Sequence, residues 1–155
     1  MLHKIDTDFI TQEGYGLEDF QPYFQPIIDV ATGQIAGYEA LARLNHRERG
    51  VISAGGIFFD CNIPVLTKLN LDRYLRDKAL AYFSQFPADV GYLSINISPD
   101  WVDLLEADTM VPSIAMIDHH QFDPARVIIE ITERTGSLSN LQRLADLYHS
   151  AGLKV

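Results

Sequence analysis

The sequence predicts an α/β fold in which a mostly parallel sheet is entered through a β-hairpin and covered by helices. Three observations predict it. Two short apolar runs flank a turn near the start, and strand-like and helix-like periodicities alternate from residue 66 onward. Apolar residues make up 47% and charged residues 21% of 155, an ordinary globular balance in a chain long enough for one core.

Residues 1–20 are mixed and polar with no sustained period, and read as a leader or linker. Tyr23 to Val30 is a short strand-like run closed by the turn Ala31-Thr32-Gly33, and Gln34 to Leu44 follows, so residues 23–44 predict a β-hairpin. Asn45 to Gly56, rich in charge and then in glycine, reads as a loop. Leu66 to Gln85 has helical spacing, with Leu69, Leu71, Tyr74, Leu75, Ala79, Tyr82 and Phe83 on one face. Arg73, Arg76 and Asp77 fall largely on another. Tyr92 to Ser98 alternates as a strand does, and Pro99-Asp100 opens a helical stretch from Trp101 to Leu105 that resumes near Ile114 to Ile117. Arg126 to Ile131 is a further strand. Ser139 or Asn140 caps a helix from Leu141 to Ser150, Ala151-Gly152 stops it, and Leu153-Lys154-Val155 starts another strand.

After the hairpin this is repeated strand and helix, the order of a parallel sheet with covering helices. A doubly wound sheet and a TIM barrel both begin this way. No strand is followed by a Gly-rich dinucleotide fingerprint or a Walker loop, so the pattern favours the barrel.

The net charge of −9 and a pI near 4.8 argue against binding of a DNA or RNA duplex, which rests on clustered Lys and Arg. A small phosphate ligand would need a metal ion or a local arginine to offset the repulsion. Cys61 is the single cysteine and forms no internal disulfide. His3, Lys4, Asp6 and Asp8 interrupt any signal-peptide pattern, and no apolar run reaches the roughly 18 residues of a membrane span. The cytoplasm is the expected compartment.

Glu39, Asn96 and Glu130 each sit near the C-terminal end of a predicted strand, where a TIM barrel gathers its catalytic groups. Hard cations such as Mg²⁺ take carboxylate and amide oxygens of this kind. For each residue a bland role competes: a helix cap or rim salt bridge for the glutamates, an Asx-type turn for Asn96. Glu130 interrupts an apolar run, and a carboxylate there is costly unless paired or metal-bound. Glu133 is three residues on and points to the opposite face of an extended strand.

Gln25-Pro26-Ile27, Glu39-Ala40-Leu41 with Arg43, Asn96 in SINIS, and Asp123-Pro124 leading into Glu130-Ile131-Thr132-Glu133 together resemble the EAL domain, in order and spacing. Leu71-Asp72-Arg73-Tyr74 is similar to the same family. The resemblance implies a TIM-like barrel with an antiparallel first strand, of which residues 21–155 form the N-terminal portion. It also implies hydrolysis of cyclic-di-GMP to the linear dinucleotide with Mg²⁺ or Mn²⁺. By position, Glu39, Asn96 and Glu130 would be metal ligands and Arg43 a phosphate contact. Gln25 would help hold the dinucleotide, and Glu133 would support a later catalytic loop. For Arg43 the competing role is a surface ion pair with Glu48.

Two departures qualify this. The segment Ser53 to Pro64 lacks the proline after the serine, and the Phe-Ile-Pro with an acidic residue, that the family usually carries. Its alternative reading is a packed loop in which Phe58 and Phe59 fill the core. The family also continues into an Asp-Asp-Phe-Gly segment and a later Lys and Glu, in a barrel of roughly 250 residues, whereas this sequence stops at Val155. The expectation is therefore a barrel truncated after roughly its first half and inactive in hydrolysis. Exposed edges would favour a homodimer or swapped assembly. The alternative is a non-catalytic EAL-like module that binds cyclic-di-GMP or a protein partner.

Overall fold

The computed structural model describes residues 14–97, 111–131 and 138–155. Its strands are β1 (Phe20–Ile28), β2 (Ile35–His46), β3 (Gly50–Ser53), β4 (Tyr92–Asn96) and β5 (Val127–Glu130). Its α-helices are α1 (Gly55–Phe59), α2 (Val65–Phe83), α3 (Pro112–His119) and α4 (Leu138–Ser150). The sheet order is β1-β2-β4-β5, with β3 also paired to β2. β1 runs antiparallel to β2, and β2, β4 and β5 are mutually parallel. Lys154 bridges Ile128 in parallel, so the final residues begin to extend the sheet. This is the α/β arrangement expected, opening hairpin included.

The hairpin closes because Asp29 Oδ1 accepts from the amides of Ala31 at 2.8 Å and Thr32 at 3.2 Å, while Gly33 takes a left-handed φ of 70°. Pro22 and Pro26 donate nothing to the ladder, which suits their place in the outermost strand of the order. β2 and β4 approach closely at Gly37, where a Cβ would sit 2.6 Å from the carbonyl oxygen of Tyr92.

The expected loop from Asn45 to Gly56 instead contains β3 and the first residues of α1. Val51 and Ile52 have strand-forming side chains, and Gly50 adopts the φ of 69° that a tight turn needs. His46 Nδ1 accepts from the amides of Glu48 and Arg49, which fixes that turn. α4 is already helical at Leu138, ahead of the expected start at Leu141, so Ser139 and Asn140 lie within the helix. The expected helix at Trp101 to Leu105 lies outside the described residues.

Residues alternate across the sheet, and the two faces differ sharply. Leu93, Ile95, Val127 and Ile129 are buried toward the helices and pack with Leu80, Phe83, Ile117, Leu144 and Tyr148. Phe83 is the hub, with the rings of Phe24, Tyr38, Phe86 and Phe122 centred 5.8–6.0 Å away. A second cluster joins Phe20, Leu44 and Ala54 to Leu71 and Leu75, with Tyr15 packed into it from the chain's start.

In α2 the apolar face is as expected at Leu69, Leu71, Leu75, Ala79 and Phe83. Two positions correct the expectation. Tyr82 is 51% exposed, whereas Arg76, expected on the polar face, is 2% exposed. Arg76 is buried because its charge has partners: one Nη donates to Asp72 in the preceding turn and the other to Ser113 of α3. Ser113 Oγ in turn lies 3.0 Å from the hydroxyl of Tyr148 in α4. Three helices are therefore joined by one buried polar chain.

Burial pushes the Tyr148 hydroxyl above its ordinary value of 10.0, against the opposing pull of the Arg76 charge. A raised folded-state pKa contributes stability that is complete below the unfolded value and is lost as pH rises through the folded one. Urea midpoints are therefore expected to fall more steeply above pH 10 in the unaltered chain than in Tyr148→Phe. Parallel curves for the two would contradict this.

Candidate functional site

The sheet face turned away from the helices carries the polar residues. Strand registers place Gln25 opposite Glu39, Glu39 opposite Ser94, and Asn96 opposite Glu130. Glu39, Asn96 and Glu130 are thus brought together from β2, β4 and β5, with the latter two ending their strands. Asn96 Nδ2 donates to Glu39 Oε1 at 2.7 Å. Asn96 is therefore a partner of the Glu39 carboxylate. Ser94 Oγ donates to Glu130 Oε1, and this bond is how a half-buried carboxylate is accommodated in an otherwise apolar strand.

Each carboxylate so has one oxygen engaged. Among the described residues, Glu39 Oε2, Glu130 Oε2 and Asn96 Oδ1 accept no hydrogen bond. Those three oxygens are the donor set a hard cation takes. Among the described residues no three His, Cys, Asp or Glu side chains form a metal-holding group, so a cation held on this face would need the amide oxygen of Asn96 beside the two carboxylates. The donor chemistry fits Mg²⁺ or Mn²⁺.

Arg43 lies four residues beyond Glu39 on the same strand and so on the same face. Its Nη1 donates to the carbonyl of Ala42 at 3.0 Å, and no ion pair joins it to Glu48 among the described residues. Arg43 and Asn96 line a cavity of about 200 Å³ together with Phe58, Phe59, Leu75 and Ile97. Phe58 packs against the second core cluster as a filling loop would, whereas Phe59 is 57% exposed. Gln25 is exposed beside Glu39, and Glu133 lies outside the described residues.

Ser94 is the residue that sequence reasoning missed. The signal was present: it stands two positions before Asn96 in a strand, and therefore on the same face.

The family model of the EAL domain matches residues 11–155. The chain belongs to the EAL domain family. It is 32% identical to an uncharacterised protein of Mycobacterium tuberculosis, over 83% of this chain and 21% of that protein. It is 28% identical to a cyclic di-GMP phosphodiesterase of Pseudomonas aeruginosa, over 86% of this chain and 22% of that enzyme. It is similar in fold to the Bacillus subtilis YkuI protein, solved with cyclic-di-GMP and calcium. The TM-score there is 0.78 at 24% identity, covering 94% of this chain and 35% of that one. A Klebsiella pneumoniae protein solved with manganese and cyclic-di-GMP gives a TM-score of 0.68 at 22% identity, covering 87% of this chain and 33% of that one. The chain spans about a fifth of the length of these two curated relatives. No helix among the described residues is long and apolar enough to cross a membrane.

Proposed function

We propose that Glu39, Asn96 and Glu130 bind a divalent cation, Mg²⁺ or Mn²⁺, and that the chain carries this part of a site hydrolysing cyclic-di-GMP to its linear dinucleotide. The observation that supports it most is the placement of Glu39, Asn96 and Glu130 on one sheet face from three neighbouring strands, each with an oxygen unengaged among the described residues. Two carboxylates in a chain of net charge −9 repel a phosphodiester unless a cation lies between them. When bound, such an ion supplies positive charge to phosphate oxygens and lowers the pKa of water.

The chain's own residues do the positioning. Glu39 holds the Asn96 amide so that its oxygen, not its nitrogen, is left for the cation. Arg43 offers its guanidinium to a ligand phosphate, and Gln25, opposite Glu39, offers an amide to the dinucleotide. Glu133 is assigned to support of a neighbouring catalytic loop on the family's pattern alone. Hydrogen bonds to charged groups contribute about 1.5–3 kcal/mol, so Arg43→Ala is expected to weaken cyclic-di-GMP binding by roughly tenfold or more. An unchanged Kd would remove Arg43 from the site.

The reading is tested by incubating the 155-residue chain with cyclic-di-GMP and Mn²⁺, following binding and linear product by chromatography. Binding without turnover is expected, because Glu39 and Glu130, the carboxylates that the strand registers bring to this face, are both assigned to the cation. Product above a Glu39→Ala control would show that the residues of this chain suffice for hydrolysis. No binding would remove the ligand assignment.

A second reading is a non-catalytic module binding the same ligand or a protein. The atypical segment favours it, since α1 places Phe58 and Phe59 beside Arg43 at the cavity. Retention of all three oxygen donors favours the first.

A further inference from the structure

We propose that Ser94 is a positioning residue that holds Glu130 to one-oxygen coordination and so biases the site toward Mg²⁺ and Mn²⁺ over Ca²⁺. The inference rests on the cation reading above and deepens it.

Ser94 is 1% exposed, in a strand whose neighbours Leu93 and Ile95 are buried in the core. A buried hydroxyl is costly without a partner, and it has a single proton to donate. That proton goes to Glu130 Oε1. Registers place Ser94 directly beside Glu39 on one side and beside Ile128, two residues before Glu130, on the other. It therefore lies between the two carboxylates, one step deeper in the sheet than Asn96. Asn96 engages Glu39 Oε1 in the same way. Both carboxylates consequently present one oxygen, Oε2, with the other held by a neighbour on β4.

The two hard cations respond differently to that restriction. Ca²⁺ takes about 6–8 oxygens at about 2.3–2.6 Å and readily chelates a carboxylate through both oxygens. Mg²⁺ takes a near-octahedral shell at about 2.0–2.1 Å, for which single-oxygen carboxylates serve. A hydrogen bond that occupies Oε1 opposes chelation and fixes the rotamer that offers Oε2. Ser94→Ala removes the bond while leaving the backbone, the strand and the apolar packing in place. Glu130 is then free to turn both oxygens toward the ion.

The experiment measures Mn²⁺ binding to the 155-residue chain by electron paramagnetic resonance, with Mg²⁺ and Ca²⁺ as competitors. Loss of a partner that orients a metal ligand costs about 10–100-fold in affinity, so Mn²⁺ affinity is expected to fall about tenfold in Ser94→Ala. The ratio of Ca²⁺ to Mg²⁺ affinity is expected to rise several-fold, and Ser94→Thr, which keeps the hydroxyl, to restore both values. A purely structural serine would move the thermal midpoint and leave the ratio unchanged. If Glu130→Gln abolishes Mn²⁺ binding while Ser94→Ala leaves affinity and ratio untouched, the positioning role is overturned and the cation site stands. If the unaltered chain binds no Mn²⁺, or Glu39→Gln and Glu130→Gln bind it as well as the unaltered chain, the cation reading falls and this inference with it.

Discussion

Arg76→Met is expected to destabilise the fold by about 3–5 kcal/mol, the usual effect of removing one member of a buried ion pair. The side chain of Arg76 is 1% exposed and that of its partner Asp72 is 8% exposed, so the loss takes the paired charge from a nearly buried carboxylate. Ser113 loses its donor at the same time. The pair itself is not an optimal interaction: Arg76 Nε is buried without a hydrogen-bond partner among the described residues, and burial pulls the Arg76 pKa below its ordinary value. Replacing both charges, as Asp72→Leu with Arg76→Met, is therefore expected to recover most of the loss. Urea denaturation of the two variants checks this. A single substitution within about 1 kcal/mol of the unaltered chain, as for an exposed pair, would mean that solvent reaches the network.

Phe83→Ala is expected to cost about 3–5 kcal/mol, the range for deleting a buried phenyl ring. Phe83 is 2% exposed at the C-terminal end of α2 and holds that helix to the hairpin through Phe24 and Tyr38, and to the segment after α3 through Phe122. Arg126 lies over both the Phe83 and Phe122 rings, at 5.8 and 5.0 Å, and donates to the carbonyl of Gly91, so it closes the same cluster over the start of β4. Phe83→Leu, which keeps much of the volume, is expected to lose less than half as much. Equal losses for the two variants would mean that ring contacts, not filled volume, dominate at this position.

The fold was legible where periodicity and turn chemistry agreed. The hairpin was readable from two apolar runs around Ala31-Thr32-Gly33, and β4 and β5 from Tyr92–Asn96 and Val127–Glu130. β3 was hidden because its four residues sit in a charged and glycine-rich stretch, and only pairing with the far end of β2 makes them a strand. Arg76 was misplaced because helical periodicity assigns charges to solvent. Its burial depends on a serine 37 residues away, which no local window contains. The candidate site was legible at Asn96 and Glu130 through their places at strand ends. Glu39, expected near the end of its strand, stands mid-strand because β2 runs on to His46 to pair with β3. The mutual bonds depend on strand order and register. Ser94 shares a face with Asn96, a signal that strand alternation supplies, but its bond to Glu130 depends on the pairing of β4 with β5, which no local window contains.

The central claim is that Glu39, Asn96 and Glu130 together hold a divalent cation, and anomalous diffraction from crystals of this chain grown with Mn²⁺ tests it most directly. The account predicts one manganese peak on the polar face of the sheet, within coordination distance of the Glu39 and Glu130 carboxylates and the Asn96 amide oxygen, absent in Glu130→Gln crystals. A well-ordered site with no peak, or a peak that survives Glu130→Gln, would contradict it.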